Sequence, residues 1–237
     1  MKKGSMFLIP TYLSDNNDAS FLAPMVLDII KNTTHYLVEN VRTSRRFISS
    51  LKLGLDISEL HFEILDKKTS AEELESKISV INKGMDIGVI SEAGLPGLAD
   101  PGSLAVAYAH RHGIRVIPLP GATSIQTAII ASGFSGQQFT FHGYLPIQKQ
   151  ERIRAIKNVE SMVNQSGFTQ VFMETPFRNM SLFEDMLREL NPNTNLCVCS
   201  DIFGKKEYIK TMAVSQWKKA KIDLHKIPTV FCIGQIS

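Results

Sequence analysis

Two loops rich in glycine and proline are the segments of this sequence best suited to bind a ligand. One covers residues 91–102 (SEAGLPGLADPG) and the other residues 118–124 (PLPGATS). Each follows an apolar run that predicts a strand, and ligands of open α/β sheets bind beyond the carboxyl ends of the strands. Glycine lets the backbone approach a ligand, and proline stiffens the loop. In the second loop Thr123 and Ser124 open a predicted helix, whose free N–H groups can hold a polar group. The alternative is two turns without a ligand.

In the first half of the chain, the elements that position these loops alternate between strand and helix. Apolar runs ended by turn residues predict strands at residues 6–10, 35–39, 62–65, 86–91 and 114–119. Helical spacing predicts helices at residues 21–31, 43–53, 70–84 and 103–112. Ser70 and Glu73 have the spacing of a capping box at the start of the third helix. This alternation predicts βα units and a mainly parallel sheet.

The second half of the chain differs in composition and in its pattern of elements. It begins with a segment, residues 116–148, that contains no Asp, Glu, Lys or Arg. Helices are predicted at residues 121–132, 149–163 and 177–190, and strands at residues 139–144, 169–174, 195–203, 208–214 and 229–234. The strands on either side of Gly204 can form a hairpin. The fold class is therefore α/β with two domains, residues 1–119 with a mainly parallel sheet and residues 120–237 with a mixed one.

Composition limits the function classes. The 237 residues include 26 Lys and Arg against 23 Asp and Glu, a net charge of +3 that permits a nucleic-acid partner without requiring one. This composition excludes a disordered chain, a collagen-like fibre and a disulfide scaffold. We expect no membrane span and no secretory segment, and the three cysteines predict buried, reduced thiols in the cytoplasm. A Walker A sequence and a GxGxxG after the first strand are both absent, which argues against P-loop hydrolysis and ordinary dinucleotide binding.

Five stretches, taken in order, carry a resemblance to a known family. They are residues 8–11 (LIPT), 38–43 (VENVRT), 91–102 (SEAGLPGLADPG), 118–121 (PLPG) and 172–178 (FMETPFR). The chain resembles the tetrapyrrole methylase superfamily of S-adenosylmethionine (SAM)-dependent methyltransferases. Within it, the chain is most similar to the ribosomal RNA small-subunit methyltransferase I family, which methylates a cytidine ribose 2′-oxygen in 16S ribosomal RNA.

The resemblance implies a homodimer of two-domain chains, with SAM in the cleft between the domains and ribosomal RNA or the small ribosomal subunit as partner. By position, the residues expected to contact SAM are Pro10, Gly94, Leu95, Leu98, Thr123, Ser124, Met173 and Thr229. Arg42 and Arg178 match polar positions expected to bind the RNA. A ribose hydroxyl is a weak nucleophile, and the candidates for a general base are Glu39, Asp100 and Glu174. The alternative is catalysis by positioning, without a dedicated base. No metal is expected.

Three segments depart from the family pattern. The first loop reads PTYLSDN over residues 10–16, Glu92 stands where the family has Asp, and residues 199–206 (CSDIFGKK) replace a segment of the Arg-Glu-Leu-Thr-Lys type. The SAM loops are therefore better preserved than the substrate surface. Two alternatives stay open: a methyltransferase of a tetrapyrrole-like small molecule, and a SAM-binding protein without catalysis.

Overall fold

The computed structural model describes residues 3–14 and 18–236. The chain divides into two compact units, Met1–Thr123 and Ser124–Ser237. Within the described residues each unit has its own five-stranded sheet. Asp15 and Asn16 of the departing first loop lie outside the described residues.

The sheet of the first unit is wholly parallel. Its strands are β1 (Ser5–Ile9), β2 (His35–Val38), β3 (His61–Ile64), β4 (Ile87–Ile90) and β5 (Arg115–Pro118). Their order is β3-β2-β4-β1-β5, and every pair in the ladder is parallel. The central strands β1 and β4 are largely buried, as their continuous apolar runs require. The predicted parallel sheet is confirmed.

Among the described residues the first unit has four α-helices, of which two begin at a side-chain cap. They are α1 (Pro24–Asn32), α2 (Val41–Ser50), α3 (Ala71–Ile78) and α4 (Gly102–Arg111). The Asn40 side chain accepts hydrogen bonds from the first turn of α2, and Ser70 and Glu73 form the predicted capping box of α3. The helix predicted from residue 21 begins only at Pro24, because proline fits the first helical position. The helix predicted as far as Gly84 ends as α-helix at Ile78, and a 3-10 segment continues to Lys83.

The second unit has a mixed sheet. Its strands are β6 (Phe139–Tyr144), β7 (Thr169–Glu174), β8 (Asn195–Ser200), β9 (Tyr208–Ala213) and β10 (Thr229–Gly234), in the order β6-β7-β10-β8-β9. Strands β6 and β7 are parallel and the other pairs are antiparallel, so the predicted mixed sheet and the β8–β9 hairpin are confirmed. The helices are α5 (Ser124–Ser132), α6 (Lys149–Ser166), α7 (Asn179–Glu189) and α8 (Val214–Trp217).

The core of the second unit combines apolar packing with a buried ionic cluster around Asp185. Trp217 is fully buried and its Nε1 donates to the Leu196 carbonyl at 2.8 Å. Asp185 on α7 accepts hydrogen bonds from Arg152 on α6 at 2.5 and 2.8 Å and from Arg188. The three cysteines are buried and free, as predicted. Among the described residues, no helix combines the length and apolarity needed to span a membrane.

Candidate functional site

In the first unit, the segments that follow β1 and β4 are bonded to each other. The Thr11 N–H donates to the Gly94 carbonyl at 2.9 Å, and Thr11 Oγ1 lies 3.4 Å from the Ser91 carbonyl oxygen. Gly94 has φ +72°, a left-handed conformation that favours glycine. The loop after β4 is therefore folded against the end of β1, since the two strands are neighbours in the sheet.

The loop after β5 packs against the same two segments, those that follow β1 and β4. A Cβ atom on Gly121 would lie 2.2 Å from Pro10 Cβ and 3.3 Å from Leu95 Cδ2, so a hydrogen is the only side chain that fits. A Cβ on Gly94 would lie 3.2 Å from the carbonyl oxygen of Ala122. Three strand-end loops thus converge at one edge of the sheet.

The convergence brings together several of the residues predicted to contact SAM. Pro10, Gly94 and Leu95 are packed at this edge, and a Cβ on Gly94 would lie 3.9 Å from the Cα of Thr123. Thr123 is buried, whereas Leu98, further along the loop after β4, is 42% exposed. Ser124 is the first residue of α5 and begins the second unit. Closely packed backbone and apolar side chains of this kind suit a ligand that is bound largely through main-chain groups.

Glu39 lies at the end of β2, beside the loop after β4. Its carboxylate accepts a hydrogen bond from the Glu92 N–H at 3.1 Å. Burial raises the pKa of Glu39, and the negative charges of Asp100 and Glu92 raise it further, against the lowering effects of the Glu92 N–H bond and Lys67. A carboxylate with a raised pKa is a stronger base than an ordinary one, as a proton acceptor requires.

Glu92 is a site residue that the sequence indicated only as a departure from the family pattern. Its Oε1 accepts a hydrogen bond from the Thr43 hydroxyl at 2.5 Å. Together with the Glu92 N–H bond to Glu39, this links the first turn of α2, the end of β2 and the loop after β4. The signal available in the sequence was its place directly after a buried strand.

The Asp100 side chain stabilises the loop after β4. Its Oδ1 accepts hydrogen bonds from the backbone N–H groups of Gly97 at 2.8 Å and Gly102 at 2.7 Å. These bonds close the turn that carries Leu98 and leads into α4. A general-base role for Asp100 stays a prediction.

The basic residues at the start of α2 are in different surroundings. Arg42 is exposed in the first turn. The Arg45 guanidinium lies over the Phe62 ring, 5.4 Å from its centroid. Arg42 is therefore better placed than Arg45 to meet an anionic partner, because Arg45 packs on an aromatic ring.

In the second unit, the end of β7 carries an ion pair whose carboxylate is buried. Glu174 Oε1 accepts hydrogen bonds from Arg178 Nη2 at 2.5 Å and from the Thr175 N–H at 2.6 Å. Glu174 Oε2 is buried and has no hydrogen-bond partner among the described protein atoms. Buried carboxylate oxygens are normally satisfied, so this atom can accept a hydrogen bond from a donor outside the described residues, such as water.

Two other residues predicted in this unit, Met173 and Thr229, lie beside that ion pair. In the antiparallel ladder Thr229 is opposite Glu174 and Val230 is opposite Met173. Asn179 and Lys226 lie in the same region and were not among the residues predicted from the sequence. The Asn179 side-chain amide donates to the Ile227 carbonyl, and Asn179 Oδ1 is a second buried acceptor without a partner in the described part of the chain.

Solved structures share this fold over nearly the whole chain. The methyltransferase CobJ has a TM-score of 0.66 and 16% sequence identity, covering 98% of this chain and 94% of that one. A uroporphyrin-III-C-methyltransferase from Thermus thermophilus has a TM-score of 0.56 and 16% identity, covering 100% and 94%. The fold is thus that of the tetrapyrrole methyltransferases, as predicted.

The family model of Tetrapyrrole (Corrin/Porphyrin) Methylases matches residues 24–216, and the chain belongs to this family. A ribosomal RNA small subunit methyltransferase I from Helicobacter pylori is 31% identical over 86% of this chain and 71% of its own length. A protein of the same name from Halalkalibacterium halodurans is 30% identical over 84% of this chain and 65% of its own length. The resemblance drawn from the five stretches is confirmed.

Proposed function

We propose that this protein is a SAM-dependent methyltransferase that methylates the 2′-oxygen of a cytidine ribose in 16S ribosomal RNA. The observation that carries the proposal is the convergence of the loops after β1, β4 and β5, which is so close at Gly121 that a methyl group would collide with Pro10. Membership in the methylase family and the names of the similar proteins support methyl transfer to ribosomal RNA.

The residues at the convergence fit a cofactor with polar and apolar parts. Pro10, Gly94, Leu95 and Thr123 would hold SAM in the first unit. Ser124, Met173 and Thr229 are the residues of the second unit that the resemblance implies as SAM contacts. When bound, SAM supplies an electrophilic methyl group on its sulfonium. The exposed Leu98 side chain is available to cover bound ligand and exclude water, which strengthens the electrostatic interactions of a site.

Among the three candidate carboxylates, Glu39 is the best suited to be the general base. Asp100 Oδ1 already holds two backbone N–H groups, and Glu174 Oε1 is paired with Arg178. Burial raises the pKa of Glu39, so its carboxylate has a greater affinity for the proton that a ribose hydroxyl loses on methylation. Arg42, exposed near Glu39 in sequence, would contact the RNA backbone.

The proposal includes the homodimer that the resemblance implies and the cytoplasmic location that the three cysteines predict. Three buried free thiols are in keeping with a reducing compartment. Sedimentation equilibrium tests the assembly, with a mass of two chains expected and a mass of one chain contradicting it.

Two measurements test the function. SAM at 100 times its dissociation constant should stabilise the protein by about 2.7 kcal/mol, which raises the melting temperature by roughly 5–10 °C. Labelled SAM should transfer its methyl group to small ribosomal subunits from a strain that lacks this protein. Labelling of a free tetrapyrrole instead would make the protein a small-molecule methyltransferase, and SAM binding without labelling of either substrate would make it a binding protein.

A further inference from the structure

Phe177 is an exposed aromatic residue that lies in the sequence between Glu174 and Arg178, the two residues of the ion pair. Phe177 is 72% exposed, although an isolated phenylalanine gains most by being buried. The Lys226 ammonium lies over its ring, 5.8 Å from the centroid, which is within the range of a cation–π contact. We call this pair the Phe177–Lys226 platform.

The loops that carry the platform are bonded to each other. The Lys226 N–H donates to the Pro176 carbonyl at 3.0 Å, and the Leu224 N–H lies 3.2 Å from Met180 Sδ. The Asn179 amide adds its hydrogen bond to the Ile227 carbonyl. The segment after β7 and the segment before β10 therefore form one braced surface.

The backbone at Lys226 is itself held in an unfavourable conformation. Its φ is +60°, which few residues other than glycine and asparagine adopt. In this conformation the Lys226 N–H donates to the Pro176 carbonyl, and this hydrogen bond holds the Lys226 backbone beside Phe177. Strained backbone of this kind is retained where the surrounding structure fixes it, and it recurs at ligand-binding sites.

We propose that an unpaired base of single-stranded RNA stacks on the Phe177–Lys226 platform. The Lys226 ammonium also contacts the neighbouring phosphate. An exposed aromatic face takes any base, because every base has a π-face. A cation beside the ring favours a polyanion over an apolar protein partner. The platform deepens the proposed function, on which it rests, by assigning RNA contact to residues next to the Glu174–Arg178 pair.

Binding of a fluorescent single-stranded RNA oligonucleotide, followed by anisotropy, tests the platform. Phe177→Leu keeps an apolar side chain and removes the ring, so affinity should fall roughly 5- to 100-fold. Phe177→Trp should retain wild-type affinity. An oligonucleotide of the same length with abasic positions should bind the wild type weakly and lose little more with Phe177→Leu.

A substitution that removes the positive charge of Lys226 tests the contribution of this residue to RNA binding. Lys226→Asn keeps a residue that tolerates the left-handed backbone, so the loop should stay folded. Affinity should fall, and the slope of log K against log salt should flatten by about 0.7 if one phosphate contact is lost. Matched controls are Phe139→Leu, a half-exposed ring on β6, and Lys221→Asn, an exposed lysine. Both controls should bind as the wild type does.

Two further readouts separate this inference from the proposed function. The SAM-induced rise in melting temperature should be the same in wild type, Phe177→Leu and Lys226→Asn. If the wild type methylates small subunits but binds no oligonucleotide, or if both variants bind RNA as tightly as the wild type, the platform is refuted and the proposed function stands. An equal loss for intact and abasic RNA would also refute base stacking, because the ring would then not act through a base. Failure of the wild type to methylate subunits refutes the proposed function itself.

Discussion

The Glu39 carboxyl group combines partial burial, a hydrogen bond from the Glu92 N–H and two carboxylate neighbours. If Glu39 accepts the ribose proton, Glu39→Gln should lower kcat about 100- to 10,000-fold, because glutamine offers no base. SAM affinity should be unchanged. Methyl transfer to small subunits under single-turnover conditions measures the effect, and Glu59→Gln, an exposed glutamate, is the matched control. A loss smaller than about tenfold would remove Glu39 from the chemistry.

The same substitution has a predictable effect on stability. Because burial raises the pKa of Glu39, the folded protein binds this proton more tightly than the unfolded chain does. Stability is therefore lost as the pH rises from the unfolded pKa through the folded pKa. At about pH 7, Glu39→Gln should melt at the same temperature as the wild type or higher, and the difference should shrink at low pH. A lower melting temperature at neutral pH would contradict this assignment.

Gly121 sets the distance between two of the converging loops. Gly121→Ala places a methyl group 2.2 Å from Pro10 Cβ, so the loops after β1 and β5 must separate. We expect SAM to lose its effect on the melting temperature in this variant. Gly136→Ala is the control, since its new Cβ would have only an ordinary contact, 3.6 Å from Ile129. Undiminished SAM binding by Gly121→Ala would show that the convergence is not the SAM site.

At the scale of elements, helices α6 and α7 are joined through the carboxylate of Asp185. Burial raises the pKa of Asp185, but hydrogen bonds from Arg152 and Arg188 outweigh it and hold the pKa below the ordinary value. Asp185→Asn leaves Arg152 buried without its counter-charge, and should lower the free energy of unfolding by about 3–5 kcal/mol near neutral pH. Urea denaturation measures the loss.

The pH dependence of this contribution has a definite sign. A depressed carboxyl pKa stabilises the fold above the unfolded pKa, and this stabilisation disappears as the pH falls through the folded pKa. The difference between wild type and Asp185→Asn should therefore narrow in acid. Glu189→Gln, which breaks the partly exposed Lys157–Glu189 pair, should change stability by less than about 1 kcal/mol. Equal effects of the two substitutions would contradict a special role for Asp185.

Strands such as β1 and β2 were predictable because each is a short, largely apolar run that proline or a charged residue ends. Helix ends were harder. Residues 79–83 keep a helical apolar pattern but form a 3-10 segment, and Gly84 ends it with φ +86°. The pattern of apolar residues does not distinguish the two kinds of helix, because both bury one face.

Only part of the site was available from the sequence. The loops could be placed at strand ends, since parallel strands present their carboxyl ends at one edge. The bond between Glu92 and Glu39 joins residues separated by 53 positions and depends on β2 lying beside β4. Likewise, Lys226 reaches Phe177 only because β10 pairs with β7. Neither contact has a local signal.

At the scale of the whole molecule, the three thiols report on the integrity of the second unit. Cys197 and Cys199 on β8 and Cys232 on β10 are fully buried, and burial raises the pKa of the Cys232 thiol. The thiolate is the reactive form, so the folded protein should react with a disulfide reagent only as fast as the unit opens. Denatured protein should release three equivalents at once. Rapid reaction of native protein would contradict this packing.

The place of β1 inside its sheet, between β4 and β5, has a consequence for biosynthesis. In the sheet, Met6 of β1 pairs with Ile87 of β4, and Ser5 of β1 pairs with Arg115 of β5. Because both partners come much later in the sequence, β1 is translated long before either neighbouring strand. At about 5–20 residues per second, the nascent apolar segment waits roughly 4–16 seconds for β4 alone. Chaperones that shield emerging hydrophobic chain would be needed most during that interval, and slow codons between β1 and β4 would lengthen it.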